Sequence, residues 1–171
     1  MPTRGLVDGE KALLKTVFGD TLPYDTQQIT TNDSNTGGAD NSITPNGTPH
    51  FATALWCYDF SVDGEPHWIF VHEFGHVWQS IYGTPPMLGF IANVVNNPDG
   101  YGKAYPYDLT TSTNFMDYNI EQQASICADY WAVLQPTDTR FCSNPPNPTA
   151  SDYAGLMAQV QNPNASQAVA T

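Results

Sequence analysis

His72, Glu73 and His76 stand in the string His72-Glu73-Phe74-Gly75-His76. Residues four apart on a helix share one face, so the two imidazoles can hold a single ion between them. Glu73 lies roughly 100° round the helix from His72, placed to reach water on that ion without ligating it. Zinc lowers the pKa of coordinated water to about 7, and a neighbouring carboxylate can take the proton as the water attacks a carbonyl carbon. The spacing points to a hydrolase of the zincin type, with Glu73 as general base.

A catalytic zinc needs a third protein ligand and one open position. The extended pattern that supplies a third histidine from the same segment is absent, because Gln79 stands at its glycine and Tyr82 at its histidine. His67 precedes the motif on the same helix and points to the opposite side. Glu121 is the one glutamate after Glu73, and a glutamate from a following helix is how a gluzincin completes a His-His-Glu site. Asp117 is the substitute ligand, and a carboxylate merely favoured by a helix start is the plainer account of Glu121. Asp129 and Ser125, further along that helix, could orient a ligating histidine. For the oxyanion donor, Tyr82, Tyr118, Tyr130 and Arg140 all qualify, and the aromatic residues of YGKAYPY at 101–107 could rim a cleft.

The elements that must position these residues follow from periodicity. Residues 8–18 carry a helical apolar stripe closed by Gly19. Residues 26–31 fit a strand, TNDSNTGGADN reads as loop, and His50 to Tyr58 reads as an extended strand near the core. Asp63 looks like a cap and Pro66 like a first-turn residue for a helix running to Tyr82. That helix is apolar nearly all round, hence central, and is stopped by Gly83 and Pro85-Pro86. A short helix is expected from Met87 to Val94 within an otherwise loop-like stretch. A second strong helix spans 119–134 and ends before Pro136. Beyond it come a tail-like loop, a short helix from Asp152 to Gln161 and a frayed end.

Composition narrows the class. A chain of 171 residues with 40% hydrophobic and 12% aromatic content fits one folded domain, with its core in about residues 5–135 and a peripheral 136–171. Five Lys and Arg against 17 Asp and Glu give a net charge of −12, which disfavours nucleic acid and anionic membranes as partners. Nothing at the N-terminus reads as a secretory signal or a membrane span. Cys57, Cys127 and Cys142 lack thiolate-knuckle spacing; Cys127 and Cys142 either pair or remain thiols.

Four blocks together, FVHEFGHVWQ at 70–79, YNIEQQASICADYW at 118–131, GEKALLKTVFGD at 9–20 and ITPNG at 43–47, resemble the zinc metallopeptidase domains of bacterial type VI secretion effectors associated with VgrG spikes and Rhs elements. The resemblance covers roughly residues 5–135. It implies a Zn2+ site built from His72, His76 and Glu121, Glu73 as base, and an antibacterial toxin made in the cytoplasm and delivered by a secretion system into a target cell, with the periplasm as one candidate compartment. It also implies a protein or peptide substrate, an immunity protein and a secretion-spike partner. Phe74-Gly75 departs from the Met-Thr that such domains often carry, and nothing beyond about Phe141 matches a block.

The expectation is an α+β, mainly helical, zincin-like single domain with a small sheet, acting as a zinc-dependent metallopeptidase. Two rivals stand beside it: a non-catalytic, zinc-stabilised binding module of the secretion apparatus, and a zinc amidase acting on a cell-wall substrate.

Overall fold

The computed structural model describes residues 2–31, 41–83, 101–135 and 141–163. Among them the chain is mixed α+β, with α-helices α1 (Asp8–Phe18), α2 (His67–Tyr82), α3 (Ile120–Leu134) and α4 (Ala150–Gln161). Strands β1 (Thr3–Gly5), β2 (Gln28–Thr31), β3 (Ser42–Ile43) and β4 (His50–Phe51) form one sheet in the order β1-β2-β4-β3. The β1–β2 and β3–β4 pairs are antiparallel and β2–β4 is parallel. A parallel pair, β5 (Tyr107–Asp108) with β6 (Cys142–Asn144), stands apart from that sheet. None of the described helices is long and apolar enough to cross a membrane.

The central element is α2, in which every residue from 70 to 79 is buried. It packs along α3 and against the turn that follows β3. The start of α3 is fixed by Asn119, whose Oδ1 accepts from Glu121 N at 2.9 Å and Gln122 N at 3.0 Å, while Gln122 Oε1 accepts from Asn119 N at 3.1 Å. This reciprocal cap satisfies amides that the helix leaves unpaired, and it places Glu121 in the first turn, facing α2.

Several expectations are corrected. The strand from His50 to Tyr58 is only two residues long; Thr53–Leu55 turns as a 3-10 helix. The reversal brings Phe60 back onto Phe51, with ring centroids 4.6 Å apart, and Phe60 onto Phe70, also at 4.6 Å. Asp63 does not cap α2: the chain turns at Gly64, with φ +90°, and the helix starts after Pro66 without a side-chain cap. The core extends past residue 135, because Tyr153, Leu156, Met157 and Val160 of α4 are buried and Trp78 Nε1 donates to Val160 O at 2.9 Å. Each such side chain contributes roughly 1.5–3 kcal/mol of apolar burial, so α4 is part of the domain's stability rather than a peripheral piece. The helix expected at Met87 to Val94 lies outside the described residues.

All three cysteines are thiols. Cys127 is buried on α3, whereas Cys142 Sγ turns to Asn144 O at 3.3 Å, away from a pairing with Cys127.

Candidate metal centre

The helix pair brings the motif and the distant glutamate together. His72, His76 and Glu121 are 4%, 6% and 4% exposed. One ligand atom from each lies within 4.8 Å of the other two. His72 Nε2 is 3.1 Å and His76 Nε2 3.5 Å from Glu121 Oε2. Ligands about 2.0–2.2 Å from a tetrahedral zinc stand roughly 3.3 Å apart, and two nitrogens with one carboxylate oxygen is a zinc donor set. Both the spacing and the donor chemistry of the cluster fit that ion.

Burying two imidazoles and a carboxylate is costly without charge compensation, and the titration of the cluster reflects it. Burial opposes the charged form of His76, but Glu121, with help from Glu73, raises its pKa to about 9. Burial likewise opposes ionised Glu121, yet the two imidazoles hold its carboxyl well below the usual range. Without a cation, protonated His76 brings positive charge to the site beside Glu121.

Glu73, buried on α2, is gripped from the sheet. Ser42 Oγ donates to its Oε1 at 2.7 Å and Thr44 Oγ1 to its Oε2 at 2.6 Å. Ser42 opens β3 and Thr44 directly follows it, where the chain leaves the strand. These two hydroxyls were invisible in the sequence, where a two-residue strand at the end of a polar stretch gives no periodicity to read.

The two histidines are held in different ways. His76 Nδ1 bonds Gln79 Oε1 at 2.8 Å. His72 Nδ1 is buried without a hydrogen-bond partner among the described residues; its ring stacks on Trp68, centroids 5.0 Å apart, and on Tyr105, at 5.6 Å. Asp129 and Ser125 do not orient either histidine directly. Asp129 Oδ1 accepts from Trp68 Nε1 at 2.7 Å, and its Oδ2 accepts from Tyr107 OH and from the amides of Phe141 and Cys142. Its effect on His72 passes through the Trp68 ring. Ser125 Oγ is buried and has no hydrogen-bond partner among the described residues.

Other candidates fall away from the centre. Asp117 is exposed and bonded to Ser112 and Asn114. Tyr118 OH donates to Asp108 O and Ser112 O, Tyr82 OH donates to Thr21 O, and the Tyr130 ring packs on Tyr153. Arg140 lies outside the described residues. Of the aromatic residues at 101–107, the one that reaches the site is Tyr105, whose ring stacks on His72; burial and the charges of Glu121 and Glu73 push its phenol pKa up. A phenol held protonated is a donor at neutral pH.

No family model matches the chain. Over 133 residues, 75% of its length, the chain is 34% identical to the type VI secretion system spike protein VgrG2b of Pseudomonas aeruginosa, and the match spans 13% of that protein's length. The structure is similar to that of the effector domain of Pseudomonas aeruginosa VgrG2b, with a TM-score of 0.68 and 33% sequence identity, covering 77% of this chain and 75% of that one.

Proposed function

The chain belongs to the family of the VgrG2b effector domain, and from that premise we propose that it is a type VI secretion effector with a zinc-dependent, gluzincin-like peptidase site on a zincin-like fold. The observation that carries the reading is the convergence of His72, His76 and Glu121 on one point with the carboxylate of Glu73 buried beside it. Among the described residues no fourth histidine, cysteine or acidic side chain joins the three. Three protein ligands are the set of a catalytic zinc site, whereas a structural site takes four. An effector role follows the names of the similar proteins, a spike protein and its effector domain; action in a target cell, an immunity partner and attachment to a secretion spike are part of the proposal.

A zinc ion held by the three ligands supplies Lewis acidity and makes water nucleophilic near neutral pH. The chain's residues do the remainder. Glu73 takes a proton from the attacking water onto its carboxylate and delivers it to the leaving nitrogen. Ser42 and Thr44 keep that carboxylate aimed by holding one oxygen each. Tyr105 OH, beside Glu121, donates to the scissile carbonyl oxygen as negative charge develops there.

The test combines metal analysis with hydrolysis. Purified protein should carry one zinc per chain, and His72→Ala should lose it. Glu73→Ala should keep the zinc while hydrolysis of unfolded casein falls by about 10²–10⁴-fold. Purified peptidoglycan run in parallel separates a protein substrate from a cell-wall amide, and expression directed to the cytoplasm or the periplasm of a bacterial host shows where the activity is toxic. A Glu73→Ala protein as active as the parent would refute the mechanism.

A further inference from the structure

We propose that Gln79 is a positioning residue that fixes the tautomer of His76 and locks the helix carrying the histidines to the helix carrying Glu121. This rests on the metal reading above and adds to it a residue outside the ligand set. Gln79 is fully buried, with no exposed surface, and Gln123 is 3% exposed.

The direction of every bond in the relay is forced by its far end. Tyr118 O can only accept, so the end of Gln123 that meets it at 2.7 Å is the amide NH2. Gln123 therefore turns Oε1 toward Gln79, 3.1 Å away, and the group it meets there is the NH2 of Gln79. The same NH2 donates to Ile120 O at 2.7 Å, a second carbonyl that admits no other orientation. Gln79 Oε1 is left facing His76 Nδ1 at 2.8 Å. A carbonyl oxygen accepts only, so Nδ1 carries the hydrogen and Nε2 is the nitrogen whose lone pair is offered to an ion. Nε2 is also the atom that faces Glu121.

The relay crosses between helices. Its anchors, Ile120 O and Gln123, flank Glu121 on α3, while Gln79 and His76 lie one turn apart on α2. One amide thus sets the ring of one ligand against the backbone that carries another. A partner of this kind on a ligating histidine typically accounts for 10–100-fold in metal affinity. His72 supplies an internal contrast, since its Nδ1 has no such partner among the described residues.

The experiment compares wild type with Gln79→Leu, Gln79→Glu and Gln123→Leu. The zinc dissociation constant is measured by competition with a chromogenic chelator, and the imidazole 15N–1H correlations are recorded on the zinc-loaded proteins. Gln79→Leu should bind zinc 10–100-fold more weakly and lose the protected Nδ1–H signal of His76, with the His72 signals unchanged. Gln79→Glu keeps an acceptor toward Nδ1 but loses the NH2 donated to Ile120 O and Gln123 Oε1, so it should keep the His76 Nδ1–H signal while zinc affinity still falls, which separates the tautomer from the lock between helices. If Gln79→Leu fails to fold, Gln123→Leu, which loosens the anchor and leaves Gln79 in place, should show a several-fold loss. Zinc affinity within twofold of wild type in the folded variants, with the Nδ1–H signal intact, overturns the relay alone. A wild-type chain that takes up no zinc overturns the metal reading and the relay together.

Discussion

Gly75 of α2 lies directly against Ala124 of α3: a Cβ added to Gly75 would stand 2.8 Å from Ala124 Cα and 3.0 Å from Ala124 Cβ. The missing side chain lets the two helices approach at the level of the site, between His72 and His76 on one side and Glu121 on the other. A larger residue would push the glutamate away from the imidazoles.

Gly75→Ala should therefore cost more than its favourable helix propensity returns. Overpacking of this kind destabilises by about 1–3 kcal/mol, against up to about 1 kcal/mol gained by replacing glycine within a helix. Thermal unfolding should shift down and zinc affinity should fall in the same variant. An unchanged melting curve together with unchanged zinc affinity would show that the helices do not meet as closely as described.

Thr44→Val removes the hydroxyl that holds Glu73 Oε2 at 2.6 Å. A hydrogen bond to a charged group contributes roughly 1.5–3 kcal/mol, so kcat should fall about tenfold to a hundredfold while zinc content stays at one per chain. Thr44→Ser keeps the hydroxyl and should recover most of the rate. Comparison of kcat, KM and bound zinc across the pair separates aim of the base from loss of the metal.

Zinc binding should depend on pH with a defined sign. Burial opposes protonated His76, but Glu121 raises its pKa in the metal-free chain to about 9, above the ordinary 6.5. The ion must displace that proton, so apparent affinity should rise with pH, by about tenfold per unit for one proton, and level off near pH 9. The raised His76 pKa also stabilises the metal-free fold fully below pH 6.5 and is lost as pH rises through 9. The depressed Glu121 pKa acts the other way: its contribution is present above pH 4.5 and is lost on acidification. Added zinc should consequently raise the melting temperature more at pH 9 than at pH 6.5. A gain that is larger at the acid end would contradict this linkage.

Asp129→Ala should be among the most damaging changes outside the ligands. It strands the Trp68 indole N–H, the Tyr107 hydroxyl and the amides of Phe141 and Cys142 in a site where the carboxylate itself has no exposed surface. Each buried donor left unsatisfied costs about 1–3 kcal/mol, less whatever water recovers. Denaturant unfolding should show a loss of several kcal/mol. The loosened Trp68 ring should also weaken the stacking that holds His72, read as a drop in zinc affinity.

How much of this was legible beforehand depended on the range of the interaction. Helix α1 and the cores of α2 and α3 were readable because their apolar spacing and their Gly19, Gly83 and Asn119 boundaries are local signals. The motif His72-Glu73-x-x-His76 was readable because helical geometry alone puts both imidazoles on one face, and Glu121 stood out as the one glutamate left in the chain. The blocks at 9–20, 43–47, 70–79 and 118–131 also pointed to the family before any coordinates.

Tertiary structure decided what no spacing encodes. Whether Glu121 or Asp117 joined the histidines depended on which end of the segment from 115 to 121 turned toward α2, and the Asn119 cap settles that by setting where α3 begins. Ser42, Thr44, Tyr105 and Gln79 meet the site across 31, 29, 16 and 3 positions of sequence respectively, measured to Glu73, Glu121 and His76. Only the last could have been suspected from helical spacing. The sequence by itself determined the chemical types available and the local helices that present them. Their mutual distances came from long-range packing, above all from the absence of a side chain at Gly75, because the strength of a contact between distant segments depends on how closely their backbones can approach.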